Sequence, residues 1–207
     1  MNDPVGHLAS CVRRAPALGS KLSLATDLPD IPGMSGKMGR DLLNNICAVD
    51  DVRYLEVGMW QGSTLRAALW ENKVKAVGID NWSEYSGPRD FFWQMLPTYL
   101  GENDLSVGEG DCFEFFTDDR FDVFFYDGAH SEYDQYRAIV HFVPMMDREF
   151  ILLVDDFKSP EVQLGTKRAI KDLRLTVLSE HLLGFENGNH TDTEGYWNGM
   201  LAAVVSR

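Results

Sequence analysis

Apolar runs of strand length alternate with helix-like stretches along most of this 207-residue chain. That order predicts an α/β fold, a doubly wound sheet of about seven strands, mostly parallel with an antiparallel strand at an edge. The strand-like runs are nearly continuous in apolar residues, as burial on both faces requires. The last two such runs follow one another with no helix between them, which calls for antiparallel pairing.

Residues 1–36 stand apart. They carry Pro4, Pro16, Pro29 and Pro32 with several glycines and weak periodicity. They read as an N-terminal arm or lid, packed on the domain or partly mobile, ahead of one domain over 37–207. Met38, Leu42, Leu43 and Ile46 have helical spacing. Val52–Val57 is a buried strand ending at Gly58, and Ser63 and Thr64 are placed to cap a helix running to Trp70. The second strand, 74–79, ends at Asp80, and the helix over 89–100 must kink or stop at Pro97. A short third strand at 105–107 leads through Gly110 and Asp111 into a short helix at 112–117. Phe121–Tyr126 is the fourth strand, ending at Asp127-Gly128; a helix covers 133–142. The fifth strand, 150–154, ends at Asp155-Asp156; a helix near 162–173 and strands near 174–180 and 199–206 close the chain.

Composition bounds the function. With 19 Lys and Arg against 32 Asp and Glu, the formal charge is −13. A long phosphate-tracking surface needs clustered cations, so no nucleic-acid partner is expected. Cys11, Cys47 and Cys112 are odd in number and far apart, which indicates neither a disulfide framework nor a zinc knuckle but reduced thiols in a cytoplasmic protein. No apolar run reaches the ~18 residues of a membrane span, and no apolar stretch of signal type precedes Arg13 and Arg14, so no membrane partner is expected either. A homodimer is compatible with all of this.

Ligands in open α/β sheets bind beyond the carboxyl ends of the strands. Here those ends carry Glu56 and Gly58, Asp80, Gly110 and Asp111, Asp127, and Asp155 with Asp156. One such acid could simply cap the next helix, but capping would accept Ser, Thr or Asn as readily, so five successive acidic ends point to a site. The first turn narrows the ligand. A dinucleotide fingerprint needs Gly where Trp60 and Ser63 stand, so backbone cannot approach a pyrophosphate there. Asp80, 22 residues beyond Gly58, is placed to accept hydrogen bonds from ribose hydroxyls. The site therefore reads as one for a nucleoside without a phosphate, such as S-adenosylmethionine.

Four segments carry a family resemblance over about residues 36–206. Tyr54-Leu-Glu-Val-Gly58-Met-Trp-Gln-Gly62-Ser-Thr-Leu65, with Asp80, resembles the first motifs of the Rossmann-like class I S-adenosylmethionine-dependent methyltransferases. Within them it is similar to the branch that includes macrocin- and novobiocin-type sugar O-methyltransferases. Phe121–Tyr126 with Asp127-Gly-Ala-His130 resembles that branch's acidic fourth-strand segment, and Ile151-Leu-Leu-Val-Asp155-Asp156 its paired-acid segment. The resemblance implies transfer of a methyl group to a hydroxyl oxygen of a small acceptor, a sugar or polyhydroxylated metabolite. It implies that Glu56 organises the methionine amine, directly or through water, and that Gly58, Trp60, Gly62 and Ser63 form the cofactor loop. Asp80 and Asn81 would meet the ribose. Gly110, Asp111 and Cys112 would flank the adenine, with Asp127 at the methyl end. Trp82 would either stack on the adenine or pack in the core.

Asp127, Asp155 and Asp156 should converge at the ends of neighbouring strands. Three crowded carboxylates repel unless a proton or cation intervenes, and hard oxygen donors suit Mg²⁺ or another divalent cation. Asp156 fits a helix cap as well. Related sequences carry an acid at the place of Ala129 that is assigned as a base. His130, with Asp127, is the nearest catalytic candidate here, against the simpler reading that it orients Asp127. His181 and His190 lie toward the same rim, and Phe91, Phe92 and Trp93 line either a substrate wall or a buried helix. Two rival classes stand beside the methyltransferase reading. One is a non-catalytic domain that binds S-adenosylmethionine or S-adenosylhomocysteine, suggested by Ala129. The other is a nicotinamide oxidoreductase, opposed by Trp60 and Ser63.

Overall fold

The computed structural model describes residues 1–186 and 192–207. A seven-stranded sheet forms the centre, in the order β3-β2-β1-β4-β5-β7-β6. Its strands are β1 (Val52–Val57), β2 (Val74–Asp80), β3 (Asp104–Glu109), β4 (Phe121–Tyr126), β5 (Met146–Val154), β6 (Thr176–Leu183) and β7 (Met200–Ser206). β1 to β5 are parallel to one another, and β7 runs antiparallel between β5 and β6. The helices are α1 (Pro4–Leu18), α2 (Lys21–Leu24), α3 (Lys37–Ile46), α4 (Ser63–Leu69), α5 (Arg89–Met95), α6 (Glu132–Phe142) and α7 (Pro160–Asp172).

The central strands bury both faces, because successive side chains point to opposite sides. Val52 and Tyr54 of β1, Val123 and Phe125 of β4, and Ile151 and Leu153 of β5 face one core, under α1, α3 and α4. Leu55, Val57, Phe124, Leu152 and Val154 face the other, under α6 and α7. At about 25 cal/mol per Å² of apolar surface, each fully buried Leu, Ile or Phe stabilises the fold by ~1.5–3 kcal/mol. Two packed faces are what keep the strand ends rigid enough to aim a site.

Some elements differ from the sequence reading. The arm holds a 15-residue helix, α1, whose Leu8, Cys11 and Ala15 are buried against the first core. Its prolines hid it. Pro4 sits in the first turn, where a missing N–H costs nothing, and Asp3 caps the helix by accepting from Gly6 N. Ser63 and Thr64 do not cap α4 with their side chains; Gly62 stands at the cap in the left-handed region, and the Thr64 hydroxyl donates instead to Glu56 at 2.6 Å. The short helix expected at 112–117 is a 3₁₀ turn over Cys112–Glu114. The α-helix of 89–100 stops at Met95, and Pro97 lies in the 3₁₀ turn Leu96–Thr98 that follows. Phe92 is fully buried against Trp82, with ring centroids 5.5 Å apart, so this helix packs rather than forming a substrate wall.

The amino end of the sheet is tied by ions. Asp122 opens β4 and accepts two hydrogen bonds from the Arg53 guanidinium, one from Arg53 N and one from the N-terminal ammonium of Met1. These partners hold its carboxyl below the usual range against the effect of burial. Among the described residues, no helix is long and apolar enough to cross a membrane.

Candidate functional site

The opposite, carboxyl end of the sheet opens into a cleft of about 310 Å³, within the size range of small-molecule sites. Each parallel strand delivers residues to it. Gly58 and Trp60 follow β1, and Asp80, Asn81 and Trp82 follow β2. Gly110, Asp111 and Cys112 follow β3, Asp127 and His130 follow β4, and Asp155 with Asp156 follows β5. Met34 from the arm and Trp197 with Asn198 before β7 complete the rim.

Asp80 organises the left half of the cleft. Its Oδ2 accepts from Trp60 N at 2.7 Å and its Oδ1 from Trp82 N at 2.6 Å. The Trp82 indole donates to Trp60 O at 2.9 Å, and the Trp60 indole to Tyr85 O at 3.2 Å. Both tryptophans sit at positive φ, 46° and 48°, which bulky residues rarely adopt. Strain of this kind persists only where surrounding structure over-determines it, and it gathers at functional sites. Trp82 is largely buried and packed on Phe92, as the packing reading expected, while still touching the cleft.

Three expected loop residues lie outside the cleft lining. Glu56 is fully buried, with one oxygen taken by Thr64 and the other by the Tyr54 hydroxyl at 2.7 Å. Burial pushes its carboxyl up to about 8, against the lowering effect of those two hydroxyls. Its structural work is to pin α4 to β1. Gly62, at φ 89°, has a physical reason unrelated to ligand approach: a Cβ there would lie 2.5 Å from the Tyr99 hydroxyl. Ser63 is buried beside Ser35, with the hydroxyls 3.5 Å apart. Gly58 does line the cleft, yet its demand for glycine comes from β4, since a Cβ would stand 1.9 Å from Asp127 O. At Gly110, by contrast, a Cβ would meet nothing within 4 Å, so this turn leaves open room beside Asp111 and Cys112. Burial pushes the Cys112 thiol up to about 11, so it is present as the neutral thiol.

The right half is ionic. His130 Nε2 lies 3.0 Å from Asp156 Oδ2 and 3.6 Å from Asp127 Oδ1. That nitrogen is buried, and neither contact has the alignment of a hydrogen bond. The two carboxylates outweigh burial and raise the imidazole to about 10, so His130 already carries its proton at neutral pH. Burial raises Asp127 to about 6 against the pull of His130, whereas His130 and Asn198 hold Asp156 low. Asp156 occupies the left-handed region at φ 51°, which an aspartate tolerates better than most side chains.

The three expected carboxylates, Asp127, Asp155 and Asp156, all line the cleft. The donor atoms of Asp127, His130 and Asp156 lie within 4.8 Å of one another, and Asp155 is outside that group. Asp155 is buried at the cleft, and burial with its acidic neighbours Asp127 and Asp156 favours its neutral form. Two carboxylate oxygens and one ring nitrogen at this spacing fit a divalent ion once the imidazole has lost its proton. His181 lies on the edge strand β6 and is not part of the cleft lining; His190 falls outside the described residues. The sequence reading missed Met34, Tyr126, Trp197 and Asn198. Only Tyr126 had a signal, as the last residue of a strand; the others reach the rim through tertiary packing alone.

Together the strand order, the antiparallel β7 and the cleft at the carboxyl edge define the class I methyltransferase fold. Comparison with solved structures agrees. The O-methyltransferase from Bacillus cereus in complex with SAH superposes with a TM-score of 0.56 at 16% identity, over 95% of this chain and 91% of that one. The O-methyltransferase TomG from Streptomyces achromogenes, involved in tomaymycin synthesis and complexed with SAM, gives 0.56 at 18%, over 97% and 90%. SMU.776 complexed with SAH gives 0.60 at 12%, and 83% of this chain spans about half, 49%, of that one. No family profile and no curated protein matches the sequence. At these identities the likeness is one of fold.

Proposed function

We propose that this protein is an S-adenosylmethionine-dependent methyltransferase acting on a hydroxyl oxygen of a small acceptor, a sugar or polyhydroxylated metabolite, with help from a divalent cation. The observation that carries the reading is Asp80. It stands at the carboxyl end of β2 within the cleft, in a class I methyltransferase fold, with open room at Gly110 on one side and the Asp127–His130–Asp156 cluster on the other. When bound, S-adenosylmethionine supplies a methyl group that the acceptor oxygen displaces in line, the C–S electron pair staying on sulfur. A cation held by the cluster would lower the pKa of the acceptor hydroxyl and orient its oxygen.

The chain's own part is positioning, which accounts for much of the rate in a displacement of this kind. The remaining lone pairs of Asp80 would accept from ribose hydroxyls. Gly110 and Asp111 border the base. Acids along the rim attract the sulfonium, although attraction equal in ground and transition states would not speed the step. In the metal-free cluster Asp127 and Asp156 favour the protonated form of His130, so it acts as a base only once it has given up that proton. The proton leaving the hydroxyl goes to a carboxylate of the cluster, and Asp127 is more basic than an ordinary aspartate. Release of S-adenosylhomocysteine, followed over a panel of polyhydroxylated acceptors, tests the reaction. Turnover with one of them, abolished by chelator and restored by a divalent ion, is the expected result.

Ala129 favours a second reading, a domain that binds the cofactor or its product without catalysis. Binding of S-adenosylhomocysteine with no turnover over a broad acceptor panel would select it. The nicotinamide reading is weakened further by Trp60, whose main chain is committed to Asp80 where a pyrophosphate would have to approach.

A further inference from the structure

Away from the cleft, the chain buries a positive charge without a counter-charge. Arg66 of α4 is 5% exposed and forms no ion pair among the described residues, in a chain with 32 acidic residues. We propose that a small monovalent anion, chloride, binds between Arg66 and Tyr99, beside the hydroxyls of Ser35 and Ser63, and fastens the N-terminal arm to α4. The site stands apart from the methyl-transfer reading, since none of these four residues lines the cleft.

Two unpartnered polar atoms mark the place. Arg66 Nε and the Tyr99 hydroxyl are both buried and without a hydrogen-bond partner, and Tyr99 is only 3% exposed. Buried polar atoms are nearly always satisfied, so two exceptions side by side call for a ligand. They converge because of α4. Gly62, Ser63 and Arg66 share one face of its first turn, as residues three and four apart do. The Tyr99 hydroxyl lies against Gly62, at 2.5 Å from where a Cβ would stand. The arm closes the same spot from above. Arg66 Nη1 donates to Pro29 O, and Ser35 Oγ lies 3.5 Å from Ser63 Oγ, so only one of those two hydroxyl hydrogens can lie between them.

Charge selects an anion over a water molecule. A buried cation is costly unless it is paired. Burial and the neighbouring Arg40 pull the Arg66 guanidinium down to about 10, so it keeps its charge at neutral pH. Arg40 forms no ion pair either and donates to Ser35 O at 2.5 Å and to Ser35 Oγ at 3.3 Å. The nearby acids are not available. Asp41 is committed to Lys37, Ser20 and Ser23, and Asp30 acts on Arg66 without reaching it as an ion pair. Glu56, whose charge would oppose an anion beside Tyr99, holds its proton because burial pushes it up to about 8. Burial also holds the Tyr99 hydroxyl well above its usual range, so it stays a donor. A water would satisfy the two atoms and leave the charge, whereas a halide answers both. An oxyanion would bring further acceptors into a spot where the orphan atoms have no solvent contact.

The test uses the halides themselves on full-length protein. Thermal unfolding is followed in sodium chloride and in sodium gluconate at equal ionic strength. Chloride at about 200 mM should raise the melting temperature by about 3 °C or more over gluconate, as a ligand of the folded state does. Tyr99→Phe keeps the ring and loses the donor, and Arg66→Gln loses the charge. In each the chloride increment should fall below about 1 °C. Tyr99→Phe carries the test if Arg66→Gln does not fold. Crystals grown in sodium bromide should show an anomalous bromine peak within about 3.5 Å of Arg66 Nε and Tyr99 Oη. Equal melting in the two salts, an undiminished increment in Tyr99→Phe, or no bromine at this position would each overturn the proposal.

Discussion

Asp80 holds two loops on one carboxylate, since Trp60 N and Trp82 N each donate to a different oxygen. Its replacement therefore acts twice, removing the proposed ribose partner and releasing both tryptophans. A hydrogen bond to a charged group contributes ~1.5–3 kcal/mol, so Asp80→Ala should weaken S-adenosylhomocysteine binding at least tenfold by calorimetry. Unchanged affinity would remove Asp80 from the site. Glu56 makes a different prediction. Its carboxyl rises from about 4.5 unfolded to about 8 folded, so between those values the folded state holds the extra proton. That contribution is complete below about pH 4.5, falls as pH rises toward 8 and is flat above. Glu56→Gln keeps an acceptor but cannot titrate. Its unfolding free energy, from denaturant melts at several pH values, should fall less steeply than wild type from pH 5 to 8. An unchanged slope would contradict the burial argument. Residues of this kind show how far the sequence could be read: the identity and strand-end position of Asp80 and Glu56 were plain, but which of them faces the cleft is decided by side-chain packing.

At the scale of elements, the parallel strands and their helices were legible because burial on both faces leaves continuous apolar runs, as in Phe121–Tyr126. α1 was not, because prolines interrupt the signal, although Pro4 is tolerated in the first turn. The Asp127–His130–Asp156 cluster was half legible. Neighbouring strand ends announce the acids, but that His130 stands 3.0 Å from Asp156 is set by packing that no spacing rule reveals. Two predictions belong here. Asp122 ties β1, β4 and the N-terminal ammonium at the amino end of the sheet. Asp122→Ala leaves the Arg53 guanidinium, itself about a third exposed, with Asp147 as its remaining partner, so the loss should be ~1–3 kcal/mol. Because the folded carboxyl is held low, its contribution is present above the ordinary aspartate pKa and is lost as pH falls below about 4. Denaturant unfolding at pH 7 and pH 3 should show the large difference between wild type and variant only at pH 7. Gly58→Ala would press a Cβ against Asp127 O at φ 92°, so it should lower the melting temperature by several degrees even without ligand. A variant as stable as wild type would show that β1 and β4 can separate there at little cost.

For the molecule as a whole, a formal charge of −13 is divided between a solvated surface and a localised acidic edge. Asp80, Asp111, Asp127, Asp155 and Asp156 all stand at the carboxyl end of one sheet, around one cleft. The opposite edge is closed by the Arg53–Asp122 pair, so the sheet has an open acidic end and a sealed end. An acidic cleft with Asp80 at the end of β2, and Trp60 where a dinucleotide site carries glycine, suits a cationic nucleoside. Calorimetric titration of the purified protein with S-adenosylmethionine, S-adenosylhomocysteine and NAD⁺ tests that claim most directly. The account predicts one-to-one binding of both sulfur nucleosides and none of NAD⁺; binding of NAD⁺ alone, or of none of the three, would contradict it.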